Sequence, residues 1–150
     1  MQEIYDRQHK RIYRIAFLYL KNPQDTEDAV SAVFLKYIEK PRTFDSLDHE
    51  TAWFIQVTKN YCKNEKRLFW KRSVDLGDIP DDISRADTDS DLLEAVFQLP
   101  VKYSELLYLY YYEGYSIREI AKILNCKEST LQSRMSTARQ KLKKLIEKEV

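Results

Sequence analysis

The sequence predicts an all-α protein built as two small helical domains joined by an acidic flexible linker. Three observations carry this. The 150 residues include only 2 Gly and 4 Pro, too few for the tight turns of a β-rich fold or for a glycine-lined phosphate loop. Apolar residues recur at helical spacing over several segments. The net charge of +1 conceals three blocks, +4 over residues 1–72, −7 over 73–99 and +4 over 100–150. The expected bounds are therefore 1–72 for the first domain, 73–91 for the linker and 92–150 for the second domain.

In the first domain, Ile12, Ile15, Ala16 and Tyr19 suggest a helix that ends at Lys21-Asn22-Pro23. A second helix is expected to be capped by Asp25, with Glu27 and Asp28 placing negative charge at the positive end of its dipole. Its apolar face is Val30, Val33, Phe34, Tyr37 and Ile38, and the spacing of Phe34 suits either the core or the surface. Residues 41–50 lack helical periodicity and read as a loop. Trp53, Phe54, Val57, Thr58 and Tyr61 mark a third helix, whose opposite face carries Gln56, Asn60, Lys63 and Arg67 with Lys59 and Asn64 beside them. That face reads either as a solvated basic surface or as a nucleic-acid contact, in which cations neutralise phosphates while amides meet bases.

Apolar residues thin out and acids dominate from Ser73 to Asp91. Beyond Leu99-Pro100, the cluster Tyr108, Tyr110, Tyr111 and Tyr112 lies in a segment that is apolar all round, which favours burial over base stacking. Ser116-Ile117-Arg118-Glu119 is a capping box opening a short helix with the stripe Ile117, Ile120, Ala121 and Leu124, and Asn125 is suited to the left-handed turn that ends it. Leu131, Met135, Ala138, Leu142 and Leu145 then alternate at four and three. Two helices across a tight turn, the second longer and basic outside, form a helix-turn-helix pattern. Ser129-Thr130-Leu131-Gln132 also reads as a capping box, but a short turn starts the second helix near Lys127 and leaves Gln132 available.

Other classes find little support. The apolar run at residues 15–20 is far shorter than the roughly 20 residues a membrane span needs, so no direct membrane insertion is expected, and the N-terminus lacks the pattern of a secretory signal. Cys62 and Cys126 suit reduced, cytoplasmic thiols. His9 and His49 stand in unrelated contexts and no HExxH occurs, so no enzyme activity, metal or cofactor is expected.

The residues from Leu99-Pro100 through Glu113-Gly114-Tyr115-Ser116-Ile117-Arg118-Glu119-Ile120-Ala121 to Ser133-Arg134-Met135-Ser136-Thr137-Ala138-Arg139 resemble the promoter-binding domain of bacterial sigma factors of the extracytoplasmic-function group. Asp25-Thr26-Glu27-Asp28-Ala29-Val30 with Phe34-Leu35 resembles that group's polymerase-binding helix, and Ala52-Trp53-Phe54 with Lys59-Asn60 and Asn64 its following helix. The chain departs from the family in carrying Ser31-Ala32 where Gln-Glu is usual. The resemblance implies partners: RNA polymerase core enzyme, promoter DNA both duplex and single-stranded, and an anti-sigma factor. It implies polymerase contact through Asp25, Asp28, Val33, Phe34 and Tyr37. Capture of an unpaired minus-10 base would fall to residues 41–51 and Asn60, with Lys59, Lys63, Gln56, Asn64 and Arg67 around them. Gln132, Ser133, Ser136 and Thr137 would meet the minus-35 major groove, and Arg134, Arg139, Lys141 and Lys143 its phosphates. A rival reading is a duplex-DNA regulator that uses the N-terminal helices only to dimerise.

Overall fold

The computed structural model describes the backbone of residues 2–69 and 90–148, and side chains over 2–65 and 92–147. Within these residues the chain forms seven helices and no strand, as the scarcity of turn residues requires. They fall into two compact units. The expected linker lies outside the described residues except for Ser90 and Asp91, which already belong to the fourth helix.

The first unit packs α1 (Gln2–Leu20), α2 (Pro23–Glu39) and α3 (Leu47–Phe69) against one another. The C-terminal half of α1 is enclosed by the other two helices, so residues 12–20 are all buried. Lys21 ends α1 in the left-handed region at φ 61°, its amide bonded to the Phe17 carbonyl at 3.0 Å.

The start of α2 corrects the expected cap. Asn22, not Asp25, is the N-cap: its Oδ1 accepts from the Asp25 amide at 2.8 Å and its Nδ2 donates to the Asp25 carboxylate at 2.7 Å. Pro23 decides the matter, because its fixed φ and missing N–H suit the first helical position. The expected loop is also shorter. Ser46 receives the amide of His49 on its hydroxyl at 3.1 Å and opens α3 at Leu47, so Glu50 and Thr51 are helical and buried.

A partly buried polar cluster joins α1 to the start of α3. Arg7 donates to both oxygens of Glu50 at 3.1 and 2.9 Å, and the Gln8 amide donates to Glu50 at 2.9 Å and to the Thr51 hydroxyl at 3.1 Å. Burial pushes the Glu50 carboxyl up, but hydrogen bonds from Arg7 and Gln8, with the charges of Arg7 and Arg11, outweigh it and hold the group below its ordinary value. Cys62 is buried on α3, and that burial raises its thiol to about 12, which leaves it protonated and a packing residue.

In the second unit α4 (Ser90–Gln98), α5 (Val101–Tyr111), α6 (Ile117–Leu124) and α7 (Glu128–Lys148) enclose a core of Leu93, Phe97, Leu106, Leu107, Tyr108, Ile120, Leu131 and Met135. Tyr108 is fully buried and satisfies its hydroxyl on Glu113 at 2.6 Å. Gly114, at φ 78°, turns the chain into α6. The capping box is present in both directions, Glu119 N to Ser116 Oγ at 3.1 Å and Ser116 N to Glu119 Oε1 at 3.0 Å. Asn125 ends α6 in the left-handed region, and Glu128 opens α7 three residues beyond it.

Candidate nucleic-acid interfaces

The helix-turn-helix fixes α7 by its apolar stripe: Leu131, Met135, Ala138 and Leu142 are buried against the unit. This orientation turns Gln132, Ser133 and Ser136 outward, with Arg134 and Thr137 half-buried at the edges. Because the helix begins at Glu128, Gln132 sits a full turn inside it, beyond the capping positions. Lys143 is exposed and lies 4.0 Å from Glu147, a loose pair one turn apart.

Arg139, expected at phosphates, has partners within the unit. Its Nε donates to the Tyr111 hydroxyl at 3.0 Å, and its guanidinium lies 5.5 Å from the Tyr110 ring centroid and 5.9 Å from that of Tyr111. The hydrogen bond to Tyr111 raises its already high pKa. The guanidinium thus links α7 to α5 while the residue remains exposed. Lys141 leans over Tyr103 with its Nζ 5.5 Å from the ring centroid.

In the first unit, α3 presents Gln56, Asn60, Lys63 and Asn64 to solvent. Lys59 does not join them: it is buried, because it falls on the side of α3 that packs inward. The side chain of Arg67 lies outside the described residues. Residues 40–46 sit on an aromatic platform, in which Phe44 approaches Tyr37 at 6.1 Å and Trp53 at 5.8 Å between ring centroids. The Tyr37 hydroxyl donates to the Arg42 carbonyl at 3.3 Å, and the Arg42 guanidinium lies 5.2 Å from the Trp53 ring centroid. Beside this loop a groove of about 600 Å³ is walled by Lys36, Lys40, Arg42, Trp53, Gln56 and Asn60, with Glu39 and Val57. Asn60 and Gln56 therefore share a concave site with an indole and three cations. Periodicity alone does not place Lys36, Lys40 and Trp53 in this groove, because they come from three different segments, whereas Arg42 lies in the 41–51 segment expected there.

The outer face of α2 also corrects the expectation. Val33 and Phe34 are 1% and 5% exposed and pack into the core, Phe34 against Phe54 at 5.5 Å between centroids. Neither has surface to offer a partner. Tyr37 is half-buried beneath the 40–46 loop. Asp28, Ser31, Leu35 and Ile38, spaced three, four and three apart, form the outward ridge, with Asp25 half-buried at the helix start. Leu35 and Ile38 are each 53% exposed, two large apolar side chains one turn apart.

Among the described residues no three His, Cys, Asp or Glu side chains converge as metal ligands, and no helix is long and apolar enough to cross a membrane.

Comparison with known proteins matches both units. Residues 4–71 match the model for Sigma-70 region 2, and residues 90–142 that for Sigma-70, region 4. The ECF RNA polymerase sigma factor SigX of Bacillus subtilis is 22% identical over 97% of this chain and 83% of its own length. The ECF RNA polymerase sigma factor SigM of Mycobacterium tuberculosis is 24% identical over 96% of this chain and 76% of its own. Among solved structures, the sigma factor RpoE of Bartonella quintana, determined in complex with the anti-sigma factor NepR, shares the fold at a TM-score of 0.74 and 20% identity, over 97% of this chain and 96% of that one. With both of its units matched in order, the chain belongs to the sigma-70 family as an extracytoplasmic-function sigma factor, a protein that binds RNA polymerase and directs promoter-specific initiation of transcription.

Proposed function

We propose that the two units read promoter DNA in different physical states. The observation that carries this reading is the groove in which Asn60 and Gln56 meet Trp53, Arg42, Lys36 and Lys40. An unpaired base entering it meets an aromatic wall, an amide that both donates and accepts, and cations placed for the adjoining phosphates. Base–aromatic stacking contributes about 1–3 kcal/mol per base. A site that accepts only an unstacked base stabilises melted over closed DNA, so binding becomes strand opening. The second unit places α7 in the major groove of the minus-35 element, where Gln132, Ser133 and Ser136 face base edges.

The polymerase contact in this reading falls on the α2 ridge, with Asp25 and Asp28 at its start and Leu35 and Ile38 along it. Val33, Phe34 and Tyr37 support the ridge from beneath. RpoE of Bartonella quintana was determined bound to an anti-sigma factor, and an inhibitor of that kind would compete with polymerase for such exposed apolar residues. The chain works by binding, without a catalytic step of its own, and acts in the cytoplasm where polymerase and chromosome meet. The rival reading, a duplex-DNA regulator, has no use for an opened-strand groove.

Transcription in vitro with purified core polymerase and a promoter library tests the proposal. The full chain is expected to direct core enzyme to a sequence-defined subset of promoters. Absence of any chain-dependent transcript, when another sigma factor programmes the same core, would overturn it.

A further inference from the structure

The face of α7 beside the outward row of Gln132 and Ser136 carries a second feature. Ser129, Ser133, Thr137 and Lys141 follow one another at steps of four, a single ridge along the helix. The first three, with Thr130 and Arg134, line a groove of about 480 Å³ whose opposite wall is Lys102 and Tyr103 at the start of α5. The described residues lining it include no carboxylate. The Nζ atoms of Lys102 and Lys141 lie 5.0 and 5.5 Å from the same Tyr103 ring centroid. Two ammonium groups thus gather on one ring beside a row of hydroxyl donors. Helix α5 also begins here without a side-chain cap or an acidic residue in its first turn, which leaves the positive end of its dipole uncompensated.

The geometry points to a clamp for a backbone phosphodiester of duplex DNA, built by Lys102 and Tyr103 of α5 with Ser129, Thr130 and Arg134 of α7. The inference rests on the placement of α7 in the major groove. A helix so placed has a sugar-phosphate strand along each flank, and the hydroxyl ridge flanks the base-facing row on the side of Lys102. Lys102 belongs to no part of the helix-turn-helix, yet it fixes how deeply α7 enters the groove. Contacts of this type orient the protein and carry no base preference.

The test uses the full chain as holoenzyme on promoter duplexes, comparing wild type with Lys102→Ala, Lys102→Arg and Gln132→Ala. Lys102→Ala is expected to weaken binding on all minus-35 variants alike and to reduce the slope of log affinity against log salt by about 1. Its deficit should therefore shrink roughly fourfold between about 50 and about 200 mM salt. Lys102→Arg should keep the wild-type slope. A scan replacing single phosphates flanking the element with neutral methylphosphonate should reveal one position that weakens wild type but not Lys102→Ala. If Gln132→Ala relaxes base preference while Lys102→Ala leaves the slope unchanged and no such position emerges, the clamp is refuted and the groove placement stands. If wild-type holoenzyme shows no minus-35 preference at all, the placement falls and the clamp with it. Circular dichroism of the exposed Lys102 variants verifies that folding is unaltered.

Discussion

Arg139 Nε donates to the Tyr111 hydroxyl at 3.0 Å across 28 residues of sequence, and this bond fastens α7 to the C-terminal end of α5. The guanidinium also lies over the rings of Tyr110 and Tyr111, an arrangement worth about 0.5–1 kcal/mol at an exposed site. If these contacts hold the angle of α7, Arg139 bears on DNA binding through that angle. Arg139→Ala should lower the stability of the chain in urea by about 1 kcal/mol while changing the salt dependence of DNA binding less than Lys143→Ala does. Unaltered stability with a salt slope reduced by a full unit would instead assign Arg139 to a phosphate.

Glu50 gives the first unit a defined response to acid. Its carboxyl is held below the ordinary value of 4.5 in the folded chain, so its contribution is complete above that value and is lost as pH falls through the lower, folded one. Wild type should lose stability progressively below about pH 4.5, and Glu50→Gln should show a weaker dependence there. Glu50→Ala should cost more at neutral pH than Glu50→Gln, about 1–3 kcal/mol, because the fully buried Gln8 loses an acceptor. Thermal melts across pH separate these outcomes. Parallel curves for wild type and Glu50→Gln would remove Glu50 as the titrating group.

The proposed polymerase contact on helix α2 makes folding and partner binding separable on adjacent residues. Phe34→Ala, deep in the aromatic core, should destabilise the chain by about 3–5 kcal/mol. Leu35→Asp and Ile38→Asp should leave the melting temperature nearly unchanged while reducing affinity for core polymerase at least tenfold, about 1.4 kcal/mol. Fluorescence titration of labelled chain with core enzyme measures this. Full affinity in the Leu35→Asp, Ile38→Asp double variant would take the ridge out of the interface.

The Asn60 groove should matter for opening more than for initial binding. Asn60→Ala holoenzyme is expected to form closed complexes at near wild-type affinity and to show a clear loss of permanganate reactivity around the start site. Trp53→Ala should do likewise, through the lost stacking wall of about 1–3 kcal/mol. Normal melting by both variants would dispose of the base-capture role.

What could be read from the sequence was what neighbours within one helical turn decide. The Ser116–Glu119 capping box and the left-handed Asn125 depend only on local backbone geometry, and both are present as expected. The start of α2 was misread because Asn22 and Asp25 are both able caps, and Pro23 breaks the tie. Periodicity places Phe34 and Leu35 on neighbouring rows but cannot say which one α3 covers; the contact with Phe54 settles that. The burial of Lys59 and the Tyr111 partner of Arg139 are not legible in sequence for the same reason, since packing and a partner distant in sequence determine where a long cation points. The candidate groove was half legible: Asn60 stands out on a polar face and the 41–51 segment with Arg42 is expected beside it, whereas Lys36, Lys40 and Trp53 join it only in the folded unit.

In the proposed reading, sequence recognition by α7 rests on Gln132. Two starts for this helix were open from the sequence, and only one leaves the residue usable: had Ser129 been the cap, Gln132 would have been drawn back to its amide. The observed start at Glu128 removes that demand, and the side chain is exposed on the face opposite the buried Leu131, Met135 and Ala138. A glutamine there can pair both donor and acceptor with an adenine edge, a contact that discriminates against the wrong base by about 1–3 kcal/mol. Gln132→Ala should lose that amount on the best promoter and relax preference at one base pair of the minus-35 element, with the salt slope unchanged. Lys143→Ala should do the opposite, weakening all sequences equally and lowering the slope by about 1. Binding-site selection with each variant holoenzyme distinguishes them. Recovery of the wild-type motif by Gln132→Ala, at undiminished stringency in every position, would show that another residue reads the base.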